Sequence, residues 1–344
     1  MPAKVKLGTA AEFFDKEGNL QIPDPGLELL SEYPQIEHIA LDNDIEITAA
    51  QRGDCDMIIT GATRWTAPAL AGNHRLIALL MMGVGYDHID VEALTEADVM
   101  LCSAPDAVRR PMATTILTFL LALATRLLEK DALTREGRWT EQKNYNGDGL
   151  EGKTFGSIGV GNIGREFFKL ALPFGMNHLA CDPNVSQAAV DDVGVRIVDM
   201  DTVLTQSDYV NVSVPLSDAT YHLIGESEFR KMKPSAYFIN TARGRIVDEP
   251  ALIRALNEGW IRGAGLDVFE REPVDPDNPL LQMSNVVVAP HSLCHTTECL
   301  SLAWSGRLRR ADLISRGETP AEVVNREVLD KPDFKEKLAR YASA

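Results

Sequence analysis

Basic residues are scarce relative to acidic ones in this 344-residue chain: 34 Lys and Arg stand against 50 Asp and Glu, a formal net charge of −16. A surface of that sign is repelled by phosphate backbones and by anionic membrane leaflets, so neither nucleic acid nor a membrane is an expected partner. Cysteine is sparse as well. The five cysteines (Cys55, Cys102, Cys181, Cys294, Cys299) are odd in number and form no C-x-x-C pair. That usage fits a reducing, cytoplasmic setting better than a disulfide framework. A long apolar run is also missing. The first residues lack the apolar core of a signal peptide, and the most apolar stretch, Ile116 to Ala124, is too short to cross a bilayer and reads as a buried helix. No set of residues has metal-ligand spacing, because adjacent Cys294 and His295 rarely chelate one ion together and no second pair accompanies them.

What is present is alternation. Short apolar runs recur at Met57–Thr60, Leu76–Met82, Gly156–Val160, Tyr209–Val214, Ala236–Asn240, Gly263–Val268 and Val286–Ala289, separated by helix-like stretches. Fully apolar short runs fit strands buried on both faces. Their alternation with helices predicts α/β architecture with parallel sheets. The length suits two domains. A boundary is expected near Ala104-Pro105-Asp106, followed by one regular helix from about Pro111 to Glu129 with Asp106 as a cap. The stretch Arg135 to Gly152 is polar and turn-rich, and predicts a long exposed excursion or a partner-contacting arm.

Gly159-Val160-Gly161-Asn162-Ile163-Gly164 fits G-x-G-x-x-G. The first glycine permits a tight turn, the second lets a pyrophosphate reach the backbone, and the third lets helix and strand pack closely. A helix N-terminus there would offer N–H groups and a partial positive charge to the phosphates. The pattern alone is weak evidence, but a strand-like run precedes it and Ile163, Phe167, Leu170 and Ala171 follow with helical spacing. The next strand-like run, His178 to Cys181, ends at Asp182, 18 residues beyond Gly164. An acidic residue at that point holds the adenosine ribose 2′-hydroxyl and repels a 2′-phosphate, which favours NAD over NADP. By contrast, Gly83-Val84-Gly85-Tyr86-Asp87-His88 lacks the third glycine and carries bulky side chains, so no cofactor is assigned to it.

Four segments then carry a resemblance. Asn240-Thr241-Ala242-Arg243-Gly244-Arg245-Ile246-Val247-Asp248-Glu249, Gly83 to Asp90, Gly265-Leu266-Asp267-Val268-Phe269-Glu270-Arg271-Glu272-Pro273 and Ala289-Pro290-His291 together resemble the D-isomer-specific 2-hydroxyacid dehydrogenases. The likeness runs from about residue 50 to 325. It implies two doubly wound domains of Rossmann and flavodoxin-like type. The cofactor domain, at about 106–293, would be inserted into a substrate domain made of 1–105 and 294–344. It implies Arg243, Glu272 and His291 as catalytic residues. NAD contacts are expected from Gly159, Gly161, Asn162, Ile163, Gly164, Asp182, Val214, Pro215, Thr241, Ala242 and Asp267, with Asp267 near the nicotinamide carboxamide. The backbone of Val84 and Gly85 is expected on the substrate carboxylate.

The chemistry makes sense independently. Reducing a 2-oxo acid needs a cation for the carboxylate, a proton donor for the carbonyl oxygen and a hydride source. Arg243 offers a planar guanidinium that can pair bidentately with a carboxylate. His291 can give a proton to the carbonyl oxygen or take it back, and a carboxylate on its other ring nitrogen stabilises the imidazolium. Formate dehydrogenases of this fold carry glutamine at that partner position, so Glu272 points to alcohol and ketone chemistry.

Departures from the family pattern raise further expectations. Arg109 and Arg110 are expected either to recognise a second acidic group on the substrate, or to be a solvated helix start or a salt-bridge pair with nearby acids. Cys294 reads as packing and His295 as pocket rim. Trp139, in the polar excursion, marks a homodimer interface by resemblance. Too few residues follow Asn325 for a regulatory module, which weighs against the long, serine-regulated phosphoglycerate dehydrogenases. Two other functions remain open on these residues: an NAD(H)-sensing, corepressor-like interaction protein of the same fold, and a dehydrogenase of an inorganic anion such as phosphite.

Overall fold

The structure is a computed structural model that describes residues 4–21 and 27–342. The chain divides into two compact units, residues 1–108 with 295–344 and residues 109–294.

The first unit contains a five-stranded sheet: β1 (Val5–Thr9), β2 (Ile36–Ala40), β3 (Met57–Thr60), β4 (Ala78–Met81) and β5 (Met100–Cys102), in spatial order β2-β1-β3-β4-β5. Every neighbouring pair is parallel. That is the flavodoxin-like order. Strands β3 and β4 are buried at every position, which is why they read as unbroken apolar runs. Helix α1 (Ala49–Arg52) begins with a capping box between Thr48 and Gln51, and α2 (Val91–Glu96) is capped by Asp90.

Helix α3 (Pro105–Thr125) starts earlier and stops sooner than the expected Pro111–Glu129 helix, and Asp106 lies in its first turn. Proline inside a helix frees the carbonyl four residues before it. Here that carbonyl is Ala107, which takes the Cys299 thiol as a donor at 3.8 Å, and the helix runs through Pro111. It ends because Arg126 turns left-handed, at φ 54. The Arg126 guanidinium grips Glu129 with two hydrogen bonds and the Asn144 carbonyl with a third. After that turn comes α4 (Leu127–Arg135). By length and composition α3 could cross a membrane, yet half of its most apolar window is buried inside the protein. The polar excursion does not wander: Asp148 N–H donates to the Ala124 carbonyl at 2.8 Å, and Arg262 pairs with Asp148 at 2.5 Å.

The second unit holds seven strands: β6 (Thr154–Ile158), β7 (Asn177–Cys181), β8 (Val195–Ile197), β9 (Tyr209–Val212), β10 (Tyr237–Asn240), β11 (Gly263–Leu266) and β12 (Val286–Val288). Their order is β12-β11-β10-β9-β6-β7-β8, all parallel. The order reverses between β6 and β9, and such a switch point is where doubly wound sheets bind ligands. Helices α5 (Asn162–Ala171), α6 (Met200–Gln206), α7 (Glu226–Lys231) and α8 (Glu249–Asn257) connect the strands. On one face Phe155, Phe167 and Phe168 form an aromatic cluster with centroids 4.3 to 5.9 Å apart. Each such pair adds about 1 kcal/mol beyond its area burial. On the other face Val210, Val212, Phe229, Phe238, Leu252 and Leu266 pack together. At the N-terminal edge of the sheet, Tyr209 and Tyr237 stack at 5.6 Å and Lys233 pairs with Asp208 at 3.1 Å.

Helices α9 (Thr297–Ser315) and α10 (Pro332–Ala342) complete the first unit. Trp304, Leu308, Ala311 and Phe334 pack with Val5, Leu7, Met57 and Leu80 of its sheet.

Candidate active site

The parallel strands of the second sheet end along one edge, and most of the residues singled out by sequence follow those ends. Gly159 directly follows β6 at φ 92, and a Cβ there would strike the Ser213 carbonyl, so only glycine lets the turn pass the loop after β9. Ser157 Oγ donates to the Gly159 carbonyl at 2.7 Å and is itself held by Asn211 Nδ2 at 3.2 Å. Gly161 faces open space and is the N-cap of α5, with no side chain capping it. The first-turn N–H groups of Asn162, Ile163 and Gly164 are therefore not claimed by a side-chain cap. Gly164 lets α5 lie against the turn, since a Cβ there would come 3.3 Å from the Gly159 carbonyl. Asp182, just past β7, accepts from Val160 N–H and Asn184 N–H, each at 3.0 Å. An open glycine, an uncapped helix start and an acid at the next strand end fit a dinucleotide: phosphates on α5, ribose at Asp182. Val214 and Pro215 follow β9, and Thr241 and Ala242 follow β10, on the same edge.

The three candidate catalytic side chains come from loops after adjacent strands. Arg243 follows β10, Glu272 lies in the loop after β11, and His291 follows β12. His291 Nδ1 meets Glu272 Oε2 at 2.7 Å, while Glu272 Oε1 accepts from Phe269 N–H at 2.9 Å. Nε2 is then the ring nitrogen left for proton exchange with a bound molecule. Burial pushes the Glu272 carboxyl up, but the His291 and Phe269 hydrogen bonds and the nearby His291 and Arg243 charges outweigh it and hold it below 4.5. The Arg243 guanidinium donates to the Ala242 carbonyl at 2.7 Å.

Two further residues hold these loops in place. Buried Asn240 clasps the Arg243 turn, donating to the Arg243 carbonyl at 2.9 Å and accepting from Ala242 N–H at 3.0 Å. Asp267, expected at the nicotinamide, is 1% exposed, and its Oδ1 accepts from Ser292 and Leu293 N–H at 3.1 and 3.2 Å. Its carbonyl accepts from His291 N–H at 2.7 Å. Asp267 thus holds the His291 loop, where His291 itself sits at φ 52. A left-handed non-glycine residue costs on the order of 1–3 kcal/mol and persists only where neighbours fix it.

Arg109 and Arg110 reach Glu166 on α5, at 4.0 and 2.7 Å. Arg110 is thus in the expected salt bridge, while Arg109 only approaches the same carboxylate, and both side chains stay about half exposed. Val84 and Gly85 belong to the first unit, in the half-buried turn after β4, where the Gly83 carbonyl accepts from Ala104 N–H at 2.9 Å. Cys294 is partly buried and His295 is exposed.

Comparisons with known proteins agree with this geometry. Residues 117–292 match the family model described as D-isomer specific 2-hydroxyacid dehydrogenase, NAD binding domain. A protein named glyoxylate reductase from Korarchaeum cryptofilum is 35% identical over 320 residues, covering 90% of this chain and 95% of the relative. One named D-3-phosphoglycerate dehydrogenase from Methanocaldococcus jannaschii is 35% identical over 304 residues, covering 88% of this chain but 57% of the relative. A glyoxylate reductase crystal structure from Paecilomyes thermophila superposes with a TM-score of 0.81 at 28% identity, over 95% of this chain and 100% of that one. With its two parallel sheets, its glycine turn at the switch point and these matches, the chain belongs to the D-isomer specific 2-hydroxyacid dehydrogenase family, NAD-dependent enzymes that act on CH–OH groups.

Proposed function

We propose that this protein interconverts a small D-2-hydroxy acid and its 2-oxo acid, with glyoxylate as the first substrate to test. The observation that carries the reading is the 2.7 Å contact between His291 Nδ1 and Glu272, one strand away from Arg243. In this reading residues 109–294 are the cofactor unit. The dinucleotide, bound on α5 and Asp182, supplies the hydride-transfer chemistry. Arg243 pairs with the substrate carboxylate. His291 Nε2 delivers a proton to the carbonyl oxygen during reduction and recovers it in the reverse direction. Glu272 fixes the ring and stabilises the imidazolium between turnovers.

One observation supports a small monoacid over a diacid: Arg110, which might have taken a second acidic group, donates to Glu166 at 2.7 Å, and Arg109 lies 4.0 Å from the same carboxylate.

The test is NADH oxidation with glyoxylate, hydroxypyruvate, pyruvate, phenylpyruvate, 2-oxoglutarate and oxaloacetate, using His291→Ala as control. Turnover on glyoxylate or hydroxypyruvate is expected, reduced about 10²–10⁴-fold by the substitution. Turnover that survives His291→Ala, or NADH binding without turnover on any acid, would overturn the reading.

A further inference from the structure

The loop after β11 makes two histidine–carboxylate contacts, not one. Glu272 holds His291; two residues earlier, Glu270 Oε1 meets His222 Nε2 at 2.9 Å. His222 lies between β9 and α7, far in sequence from either partner loop. Its backbone N–H donates to the Arg245 carbonyl at 3.0 Å, and Ile224 N–H donates to the Ile246 carbonyl at 3.1 Å. One residue therefore binds both loops: by its main chain the turn that presents Arg243, and by its ring the loop that presents Glu272. Glu270 is fixed from the other side, because its Oε2 accepts from Glu249 N–H at 3.2 Å and Glu249 Oε2 accepts from Glu270 N–H at 3.0 Å. Tyr221 stacks on the His222 ring at 4.0 Å. His222 sits at φ 49, a conformation that glycine, asparagine and histidine accept and bulky or β-branched residues do not.

We propose that His222 and Glu270 form a positioning pair that sets Arg243 against Glu272, and so against His291, for the hydroxyacid dehydrogenase reaction. The proposal rests on the catalytic reading of Arg243, Glu272 and His291 given above. Its physical basis is that those side chains ride on separate loops, and displacing a reacting group by about 1 Å can lower the rate about 10²-fold. The pair touches neither reactant; it acts through the loops.

The experiment uses the full-length enzyme with NADH and glyoxylate, or whichever acid of the panel turns over fastest. His222→Gly and His222→Asn both suit the backbone angle, and both remove the ring that reaches Glu270. His222→Gln restores a donor of similar reach. The expected result is a fall of about 10–100-fold in kcat/KM for Gly and Asn, the size seen when groups that orient a site residue are lost. NADH affinity and melting temperature should stay near wild type, and Gln should recover activity. In a Glu272→Gln background, His222→Gly should lower the residual rate less than threefold or so, because residues acting through one another are not additive.

Glu272→Gln and His291→Ala test the underlying reading separately. If they leave turnover intact, the catalytic assignment falls. If they abolish turnover while Gly and Asn at 222 match wild type, or if His222→Gly costs the same factor in both backgrounds, the positioning role is overturned. Should His222→Gly lose its folded melt, Asn and Glu270→Gln carry the same comparison.

Discussion

Gly244 lies against the backbone of Phe269 so closely that a Cβ on it would fall 1.9 Å from the Phe269 carbonyl. The two residues belong to the loops that present Arg243 and Glu272. The contact is between backbones, so no side-chain rearrangement can relieve an added atom.

Gly244→Ala should therefore separate those loops. Overpacking of this kind costs about 1–3 kcal/mol or more. The expected outcome is a lower melting temperature together with a kcat/KM loss greater than stability alone explains. Turnover measured well below the melting point checks it; a variant with wild-type kcat/KM would show that the loops tolerate displacement.

Glu272 gives a pH prediction. Its carboxyl is depressed in the folded protein, so its stabilising effect is full above the unfolded value near 4.5 and is lost as pH falls through the lower folded value. The difference in urea midpoint between wild type and Glu272→Gln should thus shrink as pH falls below about 4.5. A difference that instead grew below that pH would contradict the sign.

Asp182 should govern cofactor choice. Its carboxylate is pinned beside the glycine turn by Val160 and Asn184. Asp182→Ser should weaken NADH binding about tenfold, a loss of about 1.4 kcal/mol, and narrow the preference over NADPH by removing a negative charge. Fluorescence titration with both cofactors reads both effects, and unchanged discrimination would place the specificity elsewhere.

Trp139 is 66% exposed, and Leu127 and Leu128 nearby in sequence are also exposed. If they meet a second copy of the chain, Trp139→Asp should shift the mass measured by light scattering from dimer toward monomer. An unchanged mass would assign the exposed tryptophan another role.

How much of this was legible in advance follows from where the signals lie. Strand β3 was read to the residue because it is buried on both faces, and an unbroken Met-Ile-Ile-Thr run has no other easy home. Strand β1 was missed, since Lys6 and Gly8 interrupt its apolar residues. The glycine turn was legible because each of its constraints is local. The start of α3 was not, because the Ala107 carbonyl that Pro111 frees finds its partner in Cys299, 192 residues away in sequence. The same holds for the site: Arg243, Asp267, Glu272 and His291 stood out through motif likeness, whereas His222, and the hold of Asp267 on the His291 loop, depend on partners that only folding brings near. The bridge from Arg109 and Arg110 to Glu166 spans more than fifty residues, so spacing could not choose between it and a substrate contact.

The second sheet is polar in a sense beyond its strand direction. Its C-terminal edge carries the glycine turn, Arg243 and His291; its N-terminal edge carries the Tyr209–Tyr237 stack and the pairs of Asp208 and Arg262. Mutational drift should therefore leave two kinds of record. Changes at one edge would be filtered by metabolic flux, changes at the other by protein lifetime in the cell. An inherited variant at Arg262 and one at Arg243 could cause the same deficiency, yet only the first would yield to lower growth temperature or a folding aid.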